Sequence, residues 1–361
     1  MIGFTCASNY TLMLAIWLSV DKFKNEKKSI IIYDEIPDCK NIYRKLQESG
    51  VFENVKIIFN KNNPKLTNWK RRYHMFVLPK PIKELCRDND FKKFIFFTND
   101  PLNIPFIIET VYKKNPDCEF SRGEEGIGIY YDEEAYLPTP KIKFWLSIFR
   151  RRKYLNMIKA LYINEPSLLT YSTNLNIRQI NSCADNKKLH DIIDTLWGHE
   201  SLPNRSFFLM QQPFSEDDKS QSYIDKKANF VFNKICEKFP NLTALKLHPR
   251  TRNYDFPQGA FIVDKNLQFE KCLNKFINHK TIVSINSTAS FSPFLLWGYT
   301  PNIILLYRLF DWGEKQQARF LNFNKFLKKF CLLYAQRGGK IYIPQNEQEL
   351  FEDLSKIIKC N

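Results

Sequence analysis

Glycine is scarce, at 11 residues in 361, which excludes collagen-like and glycine-rich architectures. No internal repeat and no long low-complexity tract is present, so a solenoid is not expected. The nine cysteines contain no Cys-x-x-Cys pair and form no even framework, which argues against a disulfide scaffold. Several of them, Cys6, Cys236 and Cys272 among others, sit between apolar neighbours, where a thiol behaves as a small hydrophobe. Reduced cytoplasmic thiols are the expectation. No run approaches the roughly 18 apolar residues that span a bilayer. The opening "MIGFTCASNYTLMLAIWLS" lacks a basic start and is interrupted by Asn9 and Thr11, so it does not read as a signal peptide. A soluble protein follows, with a peripheral position on the inner face of the cytoplasmic membrane left open.

What is present is a large apolar complement: 44% hydrophobic residues, with 31 Phe and 17 Tyr. A chain of 361 residues can bury two cores. The formal net charge of +16 points to an anionic partner, whether nucleic acid, a membrane surface or a phosphorylated small molecule. No zinc-ligand spacing, aromatic-basic RNA-binding octamer or basic region with heptads accompanies that charge. Nucleic acid is therefore not the expected partner, and a non-catalytic anionic-surface or nucleic-acid-binding protein remains the alternative of a different class. The stretch "KFWLSIFRRRKYLNMIKALY", Lys143 to Tyr162, mixes aromatics with cations. It fits a helix on an anionic leaflet and equally an interdomain or core helix whose cations snorkel.

Strand-like and helix-like segments alternate. "MIGFTC", "KSIIIYD", "VKIIF" and "KKFIFFTND" read as strands, with helical patterns between and after them. The near-continuous apolar strands are those of a parallel sheet buried on both faces. Pro138 and Pro140 break the pattern, and a fresh alternation begins near residue 200 with "RSFFLMQQP" and "LTALKLHPR". "FEKCLNKFIN" and "ASFSPFLLWG" read as helices of this second unit. The expected fold is α/β: two Rossmann-like doubly wound domains, 1–195 and 200–361, facing across a cleft as in the GT-B type.

Ligands gather at the carboxyl ends of strands in such sheets, and three polar constellations fall there. The first is "GEEGIG", with Glu124, Glu125 and Gly126. The second is "LHPR", with His248 (one of only five histidines), Pro249 and Arg250. The third is "SINSTAS", with Asn286, Ser287 and Thr288 opening a helix. Each has an ordinary reading taken alone: an exposed acidic turn, a surface histidine, a helix N-cap.

Taken in order, these elements resemble the motif set of bacterial sialyltransferases, an acidic pair before Gly, then His-Pro, then Ser-Ser/Thr. "GEEGIGIYY" and "KLHPRTRNY" look most like glycosyltransferase family 52, which contains lipooligosaccharide α-2,3-sialyltransferases. The resemblance implies a GT-B fold, CMP-sialic acid as donor, a galactose-terminated glycan or glycolipid as acceptor, inversion at the anomeric carbon, and no cofactor or metal. Transferases using CMP-Kdo or another nucleotide sugar are similar, and a homodimer is an open alternative. The resemblance makes Glu125 the base and His248 the general acid, with Ser287 and Thr288 at the donor phosphate. The pair here is Glu-Glu, where the motif more often has Asp beside Gly. Some similar proteins carry the base on the loop after the first strand of the second domain. Here that loop is "QQPFSEDD", so Glu216, Asp217 and Asp218 compete with Glu125.

The chemistry suits those residue types. Glycosyl transfer passes through an oxocarbenium-like state. The attacking hydroxyl must lose a proton to a carboxylate, and the departing phosphate must gain a proton or meet a cation. A histidine with pKa near 6.5 matches a phosphate with a second pKa of about 6. Pro249 restricts the loop, Arg250 adds positive charge, and backbone N–H groups after Ser287 would join the phosphate cradle. Glu270 is a candidate ribose or base contact. "RDND" supplies Asp88 and Asp90 at the spacing of an Asp-x-Asp metal site, but it follows a helix and precedes a strand, and reads as a turn.

Overall fold

The computed structural model describes residues 1–59, 78–98, 100, 103–132, 144, 147, 152–180, 186–198, 201–217, 219–249, 251, 254, 259–265, 267–273 and 275–360. The chain divides into two compact units, Met1–Gly198 and His199–Asn361. Each is an α/β unit on a sheet whose strand pairs are all parallel.

In the first unit, β1 (Ile2–Cys6), α1 (Asn9–Val20), β2 (Lys28–Tyr33), α2 (Cys39–Glu48) and β3 (Asn54–Ile58) come first in the chain. They are followed by α3 (Lys80–Asp88), β4 (Lys93–Phe97), α4 (Asn103–Lys114), β5 (Glu119–Gly123), β6 (Ile158–Ile163), β7 (Asn176–Gln179) and α5 (Lys187–Trp197). The strand order is β3-β2-β1-β4-β5-β6-β7, so the winding reverses between β1 and β4. Strands β1 and β2 are buried along their whole length, as their unbroken Ile and Phe content requires. Every residue of α1 is buried too. The apolar opening of the chain is therefore the central strand and its covering helix. Ser8 starts α1 with a capping box, accepting from the Thr11 N–H at 3.2 Å while the Thr11 hydroxyl accepts from the Ser8 N–H at 3.0 Å.

The second unit runs β8 (Phe207–Met210), α6 (Ser222–Lys238), β9 (Thr243–Lys246), β10 (Phe261–Val263), β11 (Thr281–Ser284) and α7 (Ser292–Trp297). It ends with β12 (Asn302–Leu305), α8 (Gly313–Gln336), β13 (Ile341–Tyr342) and α9 (Glu347–Cys360). Its order is β10-β9-β8-β11-β12-β13, and the reversal falls between β8 and β11. Its core includes an aromatic seam. Phe323, Phe326, Phe330 and Tyr334 along α8 pack on Phe291 and Phe294, with ring centroids 4.8 to 5.5 Å apart for the four closest cross-element pairs.

Several sequence expectations are corrected. "FEKCLNKFIN" forms two short 3-10 turns, Glu270–Cys272 and Lys275–His279, rather than one helix. "ASFSPFLLWG" is a 3-10 turn, Thr288–Ser290, followed by a six-residue helix. The end of the cationic-aromatic stretch is β6, preceded by a single helical turn, Arg152–Leu155, and residues 143, 145–146 and 148–151 lie outside the described residues.

Gly123 closes β5 with the ring of Phe97 from β4 lying where a Cβ would stand. A side chain there forces that ring off its place. Gly123→Ala is expected to lower unfolding stability by about 1–3 kcal/mol in urea titrations.

Candidate active site

In the first unit the site is built around a buried carboxylate. Glu124 follows β5 directly and has no solvent exposure. Its N–H donates to the Tyr162 carbonyl at 2.9 Å, extending the pairing with β6. Its side chain accepts from the Tyr10 hydroxyl at the start of α1, from the Tyr130 hydroxyl at 2.6 Å and from the Asn164 N–H at 2.8 Å. Tyr130 in turn accepts from the Glu165 N–H at 3.1 Å. Burial pushes the Glu124 carboxyl above the usual range, and the donors from Asn164, Tyr10 and Tyr130 oppose that rise.

Glu125 comes next and is half-exposed, so the acidic pair divides into one inward and one outward carboxylate. Gly126, buried, has φ 156°, a backbone that residues with a Cβ rarely adopt. It turns the chain into the 3-10 turn Ile127–Tyr130 that supplies Tyr130. Glu125 belongs to a negative neighbourhood: with Asp100 and Glu35 it bears on buried Tyr33 at the end of β2. Burial first, and then these carboxylates, hold the Tyr33 hydroxyl well above its ordinary pKa.

In the second unit the His-Pro loop leaves the end of β9. His248 is half-buried and Pro249 exposed, while Arg250 lies outside the described residues. The loop is held by Gln211, which follows β8 and is buried. The Gln211 side-chain oxygen accepts from the His248 N–H at 3.2 Å and from the Thr251 hydroxyl at 2.6 Å. The Thr251 N–H donates to the His248 carbonyl at 2.9 Å, closing the turn. Behind it, buried Lys246 donates to the carbonyls of Leu247, at 3.0 Å, and Lys265, at 2.8 Å. Burial pushes the Lys246 ammonium down to about 8, against the attraction of Glu270 and Asp264. Burial pushes the Glu270 carboxyl up, and Lys246 opposes that.

The third constellation sits at the reversal point itself. Gln212 and Asn286 exchange two hydrogen bonds, Gln212 Nε2 to Asn286 Oδ1 at 3.2 Å and Asn286 N–H to Gln212 Oε1 at 3.1 Å. This pair ties the end of β8 to the end of β11. Asn286, Ser287 and Thr288 are half-buried. The Ser287 hydroxyl accepts from the Ala289 N–H at 3.3 Å, and the Ser287 N–H donates to Ser284 Oγ at 3.2 Å. The Ser290 N–H donates to the Ser287 carbonyl at 3.0 Å. Three N–H groups of this turn are thus spent internally. What it offers a ligand is chiefly hydroxyl groups rather than the helix N–H cradle expected from the sequence.

Of the competing acids, Glu216 and Asp217 belong to a short helical turn, Phe214–Asp217. That turn is anchored by Asp225 of α6, which accepts from the Phe214 N–H at 2.8 Å and the Ser215 N–H at 3.0 Å. Asp218 and the side chains of Glu216 and Asp217 lie outside the described residues. Asp88 ends α3 and pairs with Arg87 at 2.7 Å on the surface. Among the described residues no three His, Cys, Asp or Glu side chains converge as a metal site.

No family model and no curated protein matches the chain. Solved structures do resemble it. An α/β-galactoside α-2,3-sialyltransferase from Photobacterium phosphoreum is 13% identical with a TM-score of 0.47, over 95% of this chain and 98% of that one. The GT-B domain of a Photobacterium damselae sialyltransferase is 15% identical at 0.45, over 95% and 100% of the two chains. The glycosyltransferase SnogD from Streptomyces nogalater is 9% identical at 0.42, over 100% and 99%.

Sequence reasoning missed the residues that hold the candidates in place: Tyr10, Tyr130, Asn164, Gln211, Gln212, Asp225 and Lys246. One signal was readable, because two consecutive amides directly after the apolar strand "FFLM" have no packing reason to be there.

The Glu124 cluster has a checkable pH dependence. Its folded-state pKa is raised above the unfolded value of about 4.3. Ionisation therefore opposes folding, and the stability contributed by the group falls as pH rises from that value through the raised one. Tyr10→Phe removes a donor to the charged form and deepens this effect. Thermal melts should show a loss of about 1.5–3 kcal/mol at pH 8 and a smaller loss at pH 4.

Proposed function

We propose that the chain is an inverting glycosyltransferase of the GT-B type that transfers sialic acid from CMP-sialic acid to a galactoside of a cell-surface glycan. The observation that carries the reading is the division of the two glutamates. Glu124 is committed to Tyr10, Tyr130 and Asn164, while half-exposed Glu125 stands at the same strand end. A base needs a fixed backbone and a side chain outside the core, and that combination supports Glu125. On the other unit, the Gln211 tether fixes the backbone of His248, as a general acid requires.

In the proposed reaction the acceptor hydroxyl gives its proton to Glu125 as its oxygen bonds to the anomeric carbon. The bond from that carbon to the phosphate oxygen breaks from the opposite face, so configuration inverts. The electron pair leaves with CMP, whose growing negative charge receives a proton from His248. Arg250 and the hydroxyls of Ser287 and Thr288 stabilise the same oxygens. Neutralisation by these groups makes the transfer metal-independent in this proposal. Glu270 backs Lys246 near the nucleotide and remains the candidate ribose contact. Sialic acid as the donor sugar rests on the motif resemblance.

Three measurements test the reading. CMP, and neither UDP nor GDP, is expected to raise the melting temperature. His248→Ala should abolish transfer from CMP-sialic acid to galactosides, read by mass spectrometry, with the fold intact. Glu125→Gln should lower kcat by about 10²- to 10⁴-fold with the CMP-induced shift unchanged. Loss on Asp217→Asn or Asp218→Asn instead would move the base to the turn after β8, and stabilisation by none of the nucleotides would end the assignment.

A further inference from the structure

Between Glu314 and Glu347 the sequence contains seven Lys or Arg residues and no Asp or Glu. Most of this tract is helix α8, Gly313–Gln336. Its inner face is fully used, since Phe323, Phe326, Phe330 and Tyr334 form the aromatic seam and are buried. Its outer face carries Lys325, Lys328 and Lys329, all exposed. The same face presents two leucines that the core does not need, Leu321 at 64% and Leu332 at 63% exposure, among the most exposed large hydrophobics described. They stand about three turns apart at 3.6 residues per turn, so both point the same way with the lysines between them. Arg337 and Lys340, also exposed, extend the basic surface beyond the helix end.

We infer that the outer face of α8 is a docking surface for a bilayer containing anionic lipids. Two features select this occupant. The tract contributes seven cations and no carboxylate of its own, and anionic headgroups are the charge complement of such a face. Leucines flanked by lysines match the boundary between headgroups and acyl chains, where the apolar side chain enters and the ammonium stays with phosphate. A phosphate-binding surface without lipid would have no use for Leu321 and Leu332. Among the described residues no helix is long and apolar enough to cross a membrane, so this contact would be a surface one. It differs in place from the cationic stretch Lys143 to Tyr162, and it is independent of the proposed transfer chemistry.

The full chain is mixed with vesicles of phosphatidylcholine alone or with anionic phosphatidylglycerol added, and bound protein is read by sedimentation. Binding is expected only to the anionic vesicles, with release at high salt. Lys325→Glu combined with Lys328→Glu should weaken it by about tenfold or more. Leu321→Ser combined with Leu332→Ser should weaken it severalfold. All four residues are exposed, so both variants are expected to melt with the wild type and to keep their turnover of a soluble acceptor. Equal binding to both vesicle types, undiminished binding by the helix variants, or loss on changing Arg150–Lys153 to Glu instead would overturn the inference. So would a leucine pair that makes no difference, the outcome for nucleic acid. A dimer in sedimentation velocity that the leucine variant dissolves would also overturn it, by assigning the face to a second copy.

Discussion

A carboxyl group sealed from water at the end of β5 sets the geometry of the first unit. An unpaired carboxylate in such a place is unfavourable by many kcal/mol, so its presence dictates that donors come to it. Tyr10 arrives from the first turn of α1, Tyr130 from the turn after Gly126, and the Asn164 N–H from the end of β6. Three loops that would otherwise be independent are thereby fixed to one point at the carboxyl edge of the sheet. Tyr10 matters most for placement, because it ties β5 to the β1 side of the winding reversal, where ligands of such sheets collect. The neighbour Glu125 inherits a rigid backbone from this cluster while its own side chain stays half-exposed.

The second unit solves the equivalent problem with neutral groups. Gln211 holds His248 and Thr251, and Gln212 pairs with Asn286 across the reversal point. A carboxylate in either position would make the same hydrogen bonds to N–H and O–H groups, and would make them more strongly. It would also place negative charge beside a surface proposed to receive a phosphate that grows more negative during reaction. Amides organise the backbone and leave the local potential to the cations. The contrast between a carboxyl node in one unit and amide nodes in the other agrees with the chemistry proposed for each: proton removal on one side, anion stabilisation on the other.

How much of this could be read from the chain depends on how far each feature is local. The strands "SIIIY" and "KFIFF" announce themselves because burial on both faces demands uninterrupted apolar residues. By contrast β7, "NIRQ", is an edge strand with a mostly exposed, polar pattern, and β13 is two residues long; neither carries a period. "FEKCLNKFIN" has a helical period, yet it settles into 3-10 turns, because tertiary packing outweighs a weak local preference. The motif residues were visible as unusual polar groups at strand ends. Their supports were not, since the partners of Glu124 lie as far as 114 residues away in sequence. No local pattern encodes such a pairing.

Charge follows a similar logic on a larger scale. On α8, Lys325 and Lys328 are three residues apart and Lys325 and Lys329 four, spacings at which like charges on a helix repel. The nearest acids in sequence, Glu314 and Glu347, lie beyond both ends of the basic tract. The helix is therefore stabilised from within, by Phe323, Phe326, Phe330 and Tyr334 on Phe291 and Phe294, and opposed from without by its own surface. An aromatic pair contributes about 0.5–1.5 kcal/mol beyond its burial, and an exposed like-charge pair opposes by only a few tenths, so the inner face wins. The fold can thus carry this basic surface at little loss. The two exposed leucines set into that surface add nothing to the core, and an external anionic layer with an apolar interior gives both features the same physical reason.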